Sequence, residues 1–510
     1  MNVTIAVAKG QARAPRAPVQ SAAACDGSNT CVQSERVFSY TMNSQELEDE
    51  RIRLVLMQSD SEDDLLSDGS EKEDHLSARS QDSDTEQNAS SDGEENVPLS
   101  ELQHQNPHGT KWSKNPPYQQ VRTRSENIIR QTPGVSPAAR SAQSELECWS
   151  VFCPDTMLSV MLTHTNSQIR ERNSASEAIP HYRKEMDMSE LKAFFGLLYI
   201  AGFYRSGRQN TIDLWAPDGT GVEIFRLTMP RQRFHFIQSC LRFDDKSTRE
   251  ERKLFDNLAP IRQAFDIFVE NCRKVYILDA YVTIDEMLLA FRGRCQFRQY
   301  IPSKPAKYGI KILALVDAKS FYIFNLEIYA GKQPEGPFFV SNKPFDVVNR
   351  LVFQISKTGR NVTFDNWFTS YELISHLLNE HKLTSVGTVR KNKRQLPTSF
   401  INTRGAAIFS SKFGFQKDIT LVSHIPKKNK VVILMSSLHH NAEIDESTGE
   451  KKKPEINTFY NTTKGGVDVA DELSATYDVS RNSKKWPLTV FYAMLNMAGI
   501  NAYIIHRSNT

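Results

Sequence analysis

The feature that most constrains what this chain can fold into is the succession of hydrophobic patterns between Tyr281 and Val389. YVTIDEMLLAF (281–291) is an apolar, β-branched run of strand length, and GIKILALVDA (309–318) and FYIFNLEIYA (321–330) are two more. Turn residues separate the second from the third, which predicts an antiparallel meander. FDVVNRLVFQIS (345–356) has helical spacing and NVTFDNW (361–367) strand character; TSYELISHLLNEH (369–381) reads as a helix and KLTSVGTV (382–389) as a strand. Three antiparallel strands, helix, strand, helix, strand make a mixed sheet flanked by helices.

That order is the ribonuclease H order, and it gives three aspartates particular positions. Asp285 interrupts an apolar strand, Asp365 ends another where strand gives way to helix, and Asp468 opens a helix that should pack near both. A carboxylate among apolar strand residues is costly unless something compensates it. A hard divalent cation does so, and oxygen ligands suit Mg²⁺ or Mn²⁺. Two such ions can activate a water or 3′-hydroxyl and stabilise the leaving oxygen of a phosphodiester.

The rest of the chain is organised around this α/β core. Residues 1–140 are rich in Ser, Asp, Glu and Pro and are expected to be disordered. From Gln45 to Glu95 acids exceed bases by fourteen, so the net charge of +3 conceals a strongly basic body suited to a polyanion. Residues 144–280 read as a helical domain, with SELKAFFGLLYIAGFY (189–204) behind a Ser cap, and with PRQRFHFIQSCLRF and LAPIRQAFDIFVENCRKVY following. The core occupies 281–390. A β-rich insertion spans 391–455, the core's last helix 456–480, and a helical return 481–510. TVFYAMLNMAGINAYII (489–505) is nearly long enough to span a membrane, but Asn496 and Asn501 lie inside it and a buried helix is expected. The seven cysteines have no paired C-x-x-C spacing, which points to a reducing compartment, not a disulfide framework. The acid-free first two dozen residues, with Arg13 and Arg16, read as a disordered extension ahead of Met42.

Long irregular stretches of this sequence resemble the piggyBac family of cut-and-paste DNA transposases. TIDEMLLAFRGRCQFRQYIPSKPAKYGIKI is similar to its first catalytic segment, TFDNWFTSYELISHLL to its second, and YNTTKGGVDVADELSATYDVSR to its third, continued by SRNSKKWPLTVFYAMLNMAGINAYII. LRFDDKSTREERKLFDNLAPIRQAFDIFVENCRK upstream also resembles the family, so the resemblance runs from about Leu146 to the C-terminus. It implies that Asp285, Asp365 and Asp468 are the catalytic aspartates and that Asp471 is a fourth acidic position sharing their two metal ions. It further implies DNA nicking, hairpin formation and insertion at TTAA, on double-stranded DNA, by a nuclear homodimer. Glu286 and Asp478 are expected to be solvated or structural.

Two basic stretches fit a DNA path. One interleaves Arg292, Arg294, Phe297, Arg298, Tyr300, Lys304, Lys307 and Tyr308, a mixture suited to phosphate contact with some stacking. The other is TVRKNKR, where Arg390 and Lys393 match basic family positions and Lys391 and Arg394 lie beside them. Trp486 falls where the family has an aromatic near the active site, and it would serve equally as a core residue. Family members usually end in a cysteine-rich zinc domain. No cysteine follows Cys295 here, so no zinc is expected, and KKKP (451–454) is the remaining candidate import signal. The resemblance leaves two functional readings, a transposase and a host-retained, non-catalytic DNA-binding or regulatory protein derived from one.

Overall fold

The computed structural model describes residues 104–105, 110–117 and 128–510 apart from 303. The acidic stretch from Gln45 to Glu95 lies outside the described residues, and the expectation of disorder there stays an expectation.

Nine strands form one sheet: β1 (Tyr281–Ala290), β2 (Gln299–Tyr300), β3 (Tyr308–Asp317), β4 (Ile323–Ile328), β5 (Asn361–Phe364), β6 (Thr384–Thr388), β7 (Ser411–Phe415), β8 (Thr420–His424) and β9 (Val432–Ser436). β1 pairs antiparallel with β3, and β3 with β4; β1 pairs parallel with β5, and β5 with β6. The meander and both crossovers therefore fall where the hydrophobic pattern puts them. Crossover helices Pro344–Val352 and Tyr371–Asn379 connect β4 to β5 and β5 to β6. The block after 390 extends the same sheet: β9 pairs antiparallel with β6, β8 with β9, and β7 with β8. The strands β8 and β9 are buried at every position; β9 is apolar up to Ser436, whereas β8 buries Thr420, Ser423 and His424 beside Leu421 and Val422.

Among the described residues ten helices have eight or more residues. α1 (Glu145–Phe152), α2 (Asp155–Asn173), α3 (Met188–Phe203), α4 (Arg231–Cys240) and α5 (Arg262–Lys274) build the helical layer. α6 (Pro344–Val352) and α7 (Tyr371–Asn379) are the crossovers; α8 (Glu455–Lys464), α9 (Gly466–Thr476) and α10 (Trp486–Asn509) follow the sheet. Three expectations need correction. The helix expected to start behind Ser189 starts two residues earlier, at Met188, because Asp187 accepts from the Glu190 N–H at 2.8 Å and is the cap. The single last helix is two, α8 and α9, divided at Gly465.

The third correction concerns residues 110–117 and 128–140, which are part of the fold although composition assigns them to the disordered region. Trp112 is buried, donates its indole N–H to the Gln395 carbonyl at 3.1 Å, and Ser113 pairs with Phe415 on the edge strand β7. Gly134–Val135 pairs with Tyr276–Ile277, and Ala139 and Ala142 are buried with their carbonyls capped by the Asn509 amide. A short Pro-rich piece can be ordered when a sheet edge and one large apolar side chain hold it.

α10 is the one described helix long and apolar enough to cross a membrane, and two thirds of that apolar window is buried inside the protein. Asn501 explains the burial: its amide donates to the Ile323 carbonyl and accepts from the Ile323 N–H, both at 2.9 Å. The polar residue inside the apolar run is a pin to the edge of β4.

Candidate active site

Residues two apart on a strand share a face, so Thr283 and Asp285 face the same way, as do Thr363 and Asp365. β1 and β5 are parallel with Ile284 opposite Phe364, which puts Asp285 and Asp365 side by side one step further on. The two threonines bind the end of α8. Thr283 Oγ1 donates to the Thr463 carbonyl at 2.5 Å, which satisfies one of the carbonyls a helix end leaves open, and the Thr363 and Thr463 hydroxyls are 2.8 Å apart. α9 starts immediately after and packs on β1 and β3. Its first residue must be glycine, since a Cβ at Gly466 would lie 2.7 Å from Thr283 Oγ1. Two residues later comes Asp468, and Asp471 follows one turn on.

Local bonds fix the strand aspartates. One Asp365 oxygen accepts from the Trp367 N–H at 2.9 Å, its carbonyl accepts from Thr369 Oγ1 at 2.6 Å, and Ser370 caps α7 through the Leu373 N–H at 3.1 Å. Asp285 accepts from the Glu286 N–H at 2.7 Å. Asp285 and Asp365 are half-buried and Asp468 is exposed.

The electrostatics record how close these groups are. Burial first, then Asp365, Glu286 and Asp468, pushes Asp285 well above the usual carboxylate range. Burial and Glu286 push Asp365 to about 6, and burial, against the pull of Lys304, pushes Asp471 to about 6. Tyr460 on α8 is buried beside them, its phenol raised by burial and then by Asp365. Lys304, expected on the DNA path, reaches in among the carboxylates. Its ammonium is 3.8 Å from Asp468 and donates to the Glu286 carbonyl at 3.2 Å. Glu286 is structural, paired with Lys311 at 3.0 Å, and Lys311 stands 4.3 Å over the Trp367 ring. Asp478 is structural too, accepting from the Ser480 N–H and the Asn496 amide at 2.8 Å.

Among the described residues no three His, Cys, Asp or Glu side chains close into a ready-made metal cage. The donor chemistry is nevertheless that of a hard divalent ion. Asp285, Asp365, Asp468 and Asp471 are all oxygen donors, and the mutual repulsion raising Asp285 is what such an ion would relieve.

Around this site the remaining candidates divide. Arg292, Arg294, Lys307, Tyr300 and Tyr308 are exposed, the two tyrosine rings 4.7 Å apart. Arg298 is exposed but bonds back to the Arg292 and Gly293 carbonyls and lies over Tyr308. Phe297 is a correction: it is buried against Trp486, ring centres 5.0 Å apart, and cannot stack on a base. Arg390 is exposed and donates to the Asn366 side chain at 3.1 Å, next to Asp365, with Lys393 one turn away. Sequence reasoning missed Thr283, Thr363, Thr463 and Lys311. Thr283 and Thr363 were legible as the i−2 neighbours of strand aspartates, whereas nothing local marks Thr463 or Lys311.

A family model described as Transposase IS4 matches residues 144–503. The human PiggyBac transposable element-derived protein 3 is 26% identical over 341 residues, covering 63% of this chain and 55% of that protein. The human PiggyBac transposable element-derived protein 2 is 21% identical over 383 residues, 71% of this chain and 62% of that one. The chain thus spans little more than half the length of these curated relatives. A solved cryo-EM structure of the piggyBac transposase synaptic complex with hairpin DNA is 38% identical, with a TM-score of 0.70 over 74% of this chain and 78% of that one. With the family model spanning most of its length and a piggyBac transposase as a structural match, the chain belongs to the Transposase IS4 family, as a piggyBac-like member.

Proposed function

We propose that this chain is a metal-dependent DNA transposase of the cut-and-paste type, cleaving phosphodiesters at transposon ends and transferring strands at TTAA. The observation that carries the reading is the convergence of Asp285, Asp365 and Asp468 from β1, β5 and α9: strand register sets Asp285 beside Asp365, and Lys304 bridges from the Glu286 carbonyl at 3.2 Å to Asp468 at 3.8 Å. The sheet order supports a ribonuclease H-like core, and the helical layer would serve dimerisation and DNA binding in the nucleus. Asp285, Asp365 and Asp468, with Asp471, would hold two Mg²⁺ or Mn²⁺ ions. Such ions, when bound, lower the pKa of an attacking water or 3′-hydroxyl and offset charge on the leaving oxygen.

The protein's own residues supply position. Asp365 is locked by the Trp367 N–H, and Asp285 sits beside it in strand register. Asp468 comes from a helix whose placement the Thr283–Thr463 bond determines. Lys304 offsets the carboxylate charge from within the cluster. Arg390 and Lys393 stand just past β6, next to Asn366, where phosphate contacts would orient the strand.

The test is cleavage and strand transfer with purified protein, which should require Mg²⁺ or Mn²⁺ and vanish in Asp285→Ala, Asp365→Ala and Asp468→Ala while DNA affinity persists. Undiminished cleavage by any of the three removes that residue from the site. Arg390→Ala/Lys393→Ala should weaken binding across DNA sequences and flatten its salt dependence, and the parent's slope in that variant would take both off the DNA path. The curated human relatives are named as element-derived proteins, which favours a second reading as a non-catalytic DNA-binding protein. Binding without cleavage under every divalent ion would select it.

A further inference from the structure

The basic turn that follows β6 has no helix or strand of its own. Between Thr388 and the short helix Thr398–Ile401 the backbone makes two successive turns. In them the Lys393 N–H donates to the Arg390 carbonyl and the Leu396 N–H to the Lys393 carbonyl, both at 3.2 Å. Two side-chain bonds tie this turn to the segment that leads from Asp365 into α7. At its start Arg390 reaches Asn366, and near its end the Gln395 amide donates to Glu372 at 2.5 Å. Both bonds lie at the surface, where water competes for each partner, so on their own they hold the turn weakly.

A third tie comes from the other end of the chain. Lys111–Trp112 pairs with His104–Gln105, and Ser113 and Phe415 exchange both backbone hydrogen bonds at 2.8 Å, so this N-terminal strap runs along the outer edge of β7. Trp112 turns from the strap into the protein and is 1% exposed. Its indole N–H donates to the Gln395 carbonyl at 3.1 Å, and its ring meets the edge of Tyr371, the first residue of α7, with centres 6.4 Å apart. The indole therefore stands between the basic turn and the start of α7 and touches both. β7 leaves room for it: a Cβ at Gly414 would lie 3.3 Å from Trp112 Cβ and 3.0 Å from the Phe400 ring. The pairing with Phe415 already holds the strap to the sheet. What the indole adds is a buried hydrogen bond and a large apolar contact on a turn that has little else to fix it.

We propose that Trp112 is a positioning residue for the DNA path, a wedge from the N-terminal strap that sets the turn bearing Arg390 and Lys393 relative to Asp365. The proposal rests on the reading of Arg390 and Lys393 as phosphate contacts. The experiment uses the full chain in EDTA and has two readouts, hydrogen exchange of the turn and the salt dependence of binding to a labelled duplex. In Trp112→Ala the Lys393 and Leu396 amides should exchange about tenfold faster or more, while amides of β1 and α10 keep the parent's rates. The log–log salt slope should fall by about 1–2, near 0.9 per phosphate contact, as in Arg390→Ala/Lys393→Ala. Combining all three substitutions should lower the slope no further than the pair does, because the wedge acts through those two side chains. Trp112→Phe keeps a ring in place and loses the N–H; it should show both changes, with exchange about threefold faster or more, and it stands in if alanine unfolds the chain. Parental exchange at Lys393 and Leu396 in these variants overturns the proposal, and so does a triple variant whose slope falls well below that of the pair. If Arg390→Ala/Lys393→Ala itself keeps the parent's slope, the DNA reading of the turn fails, and faster exchange in Trp112→Ala would still show the wedge.

Discussion

Asp365 and Lys304 are where single side chains decide the behaviour of the site. With its pKa raised to about 6 by burial and Glu286, Asp365 holds a proton more tightly folded than unfolded. The sign follows directly: its favourable contribution is present at low pH and lost as pH rises through about 6, so at neutral pH the ionised carboxylate destabilises the metal-free fold. Asp365→Asn should therefore raise the melting temperature in EDTA at pH 7.5 and have much less effect at pH 5. The buried His439, lowered to about 4, loses stability in the opposite direction as pH falls, but it is common to both proteins and cancels in the difference. A melting-temperature difference that does not change between pH 5 and 7.5 would refute the assignment. Lys304 is the internal counter-charge, raised by Asp285 and Asp468 against its burial. Lys304→Met should lower the melting temperature in EDTA at neutral pH, and added Mg²⁺ should raise it by more than in the parent. Equal Mg²⁺ shifts in the two proteins would mean that the ammonium does not offset the charge a divalent ion would take up.

At the scale of elements, the junction of α8 and α9 sets where Asp468 stands. Glycine to alanine inside a helix usually gains about 1 kcal/mol from propensity. At Gly466 the added Cβ would meet Thr283 Oγ1, so Gly466→Ala should destabilise, and Thr283→Ala in the same chain should recover part of the loss although it removes a hydrogen bond. The coupling, of about 1 kcal/mol or more in a double-mutant cycle by denaturant unfolding, is the readout. Additive effects would show that α9 is held some other way. This junction also marks the limit of what the sequence displays. The strands β1 and β3 to β6, their crossover helices and the place of Asp285 and Asp365 are legible because each element carries its own period and each aspartate breaks one; the two-residue β2 is too short to carry a period. The break between α8 and α9 was not, since Gly465 and Gly466 read as a helix start without saying that a helix ends just before. Neither was the order of residues 110–117, because Trp112 is fixed by Gln395 and by the edge of β7, both nearly three hundred residues away. Local pattern records local bonds, and these two features depend on distant ones.

For the whole molecule, α10 is what joins the helical layer to the sheet. It packs against α1, α5, α9 and β1, and Phe491 stacks among Phe195 and Phe243 of the helical layer. Its two internal asparagines serve opposite ends of that joint. Asn496 accepts from the Val479 N–H at 3.0 Å and donates to Asp478, fixing the turn that leads out of α9. Asn501, fully buried, completes both hydrogen bonds of Ile323 at the end of β4, where no further strand could do so. An apolar residue of similar size would fill the space but leave a buried N–H and a buried carbonyl unpaired, at about 1–3 kcal/mol for each group. Asn501→Leu should thus cost about 3 kcal/mol or more, a large part of the stability of an ordinary domain. The loss should also fall on the joint. In the parent, or in a parent whose Trp112, Trp367 and Trp486 are changed to Phe so that Trp149 and Trp215 report the helical layer alone, tryptophan fluorescence and far-ultraviolet dichroism from the whole chain should report one unfolding transition. In Asn501→Leu the two probes should separate, with the sheet and the helical layer melting at different denaturant concentrations. If both probes still coincide and the midpoint moves by less than 1 kcal/mol equivalent, α10 joins the two layers through its apolar face alone, and the asparagine is incidental to the joint.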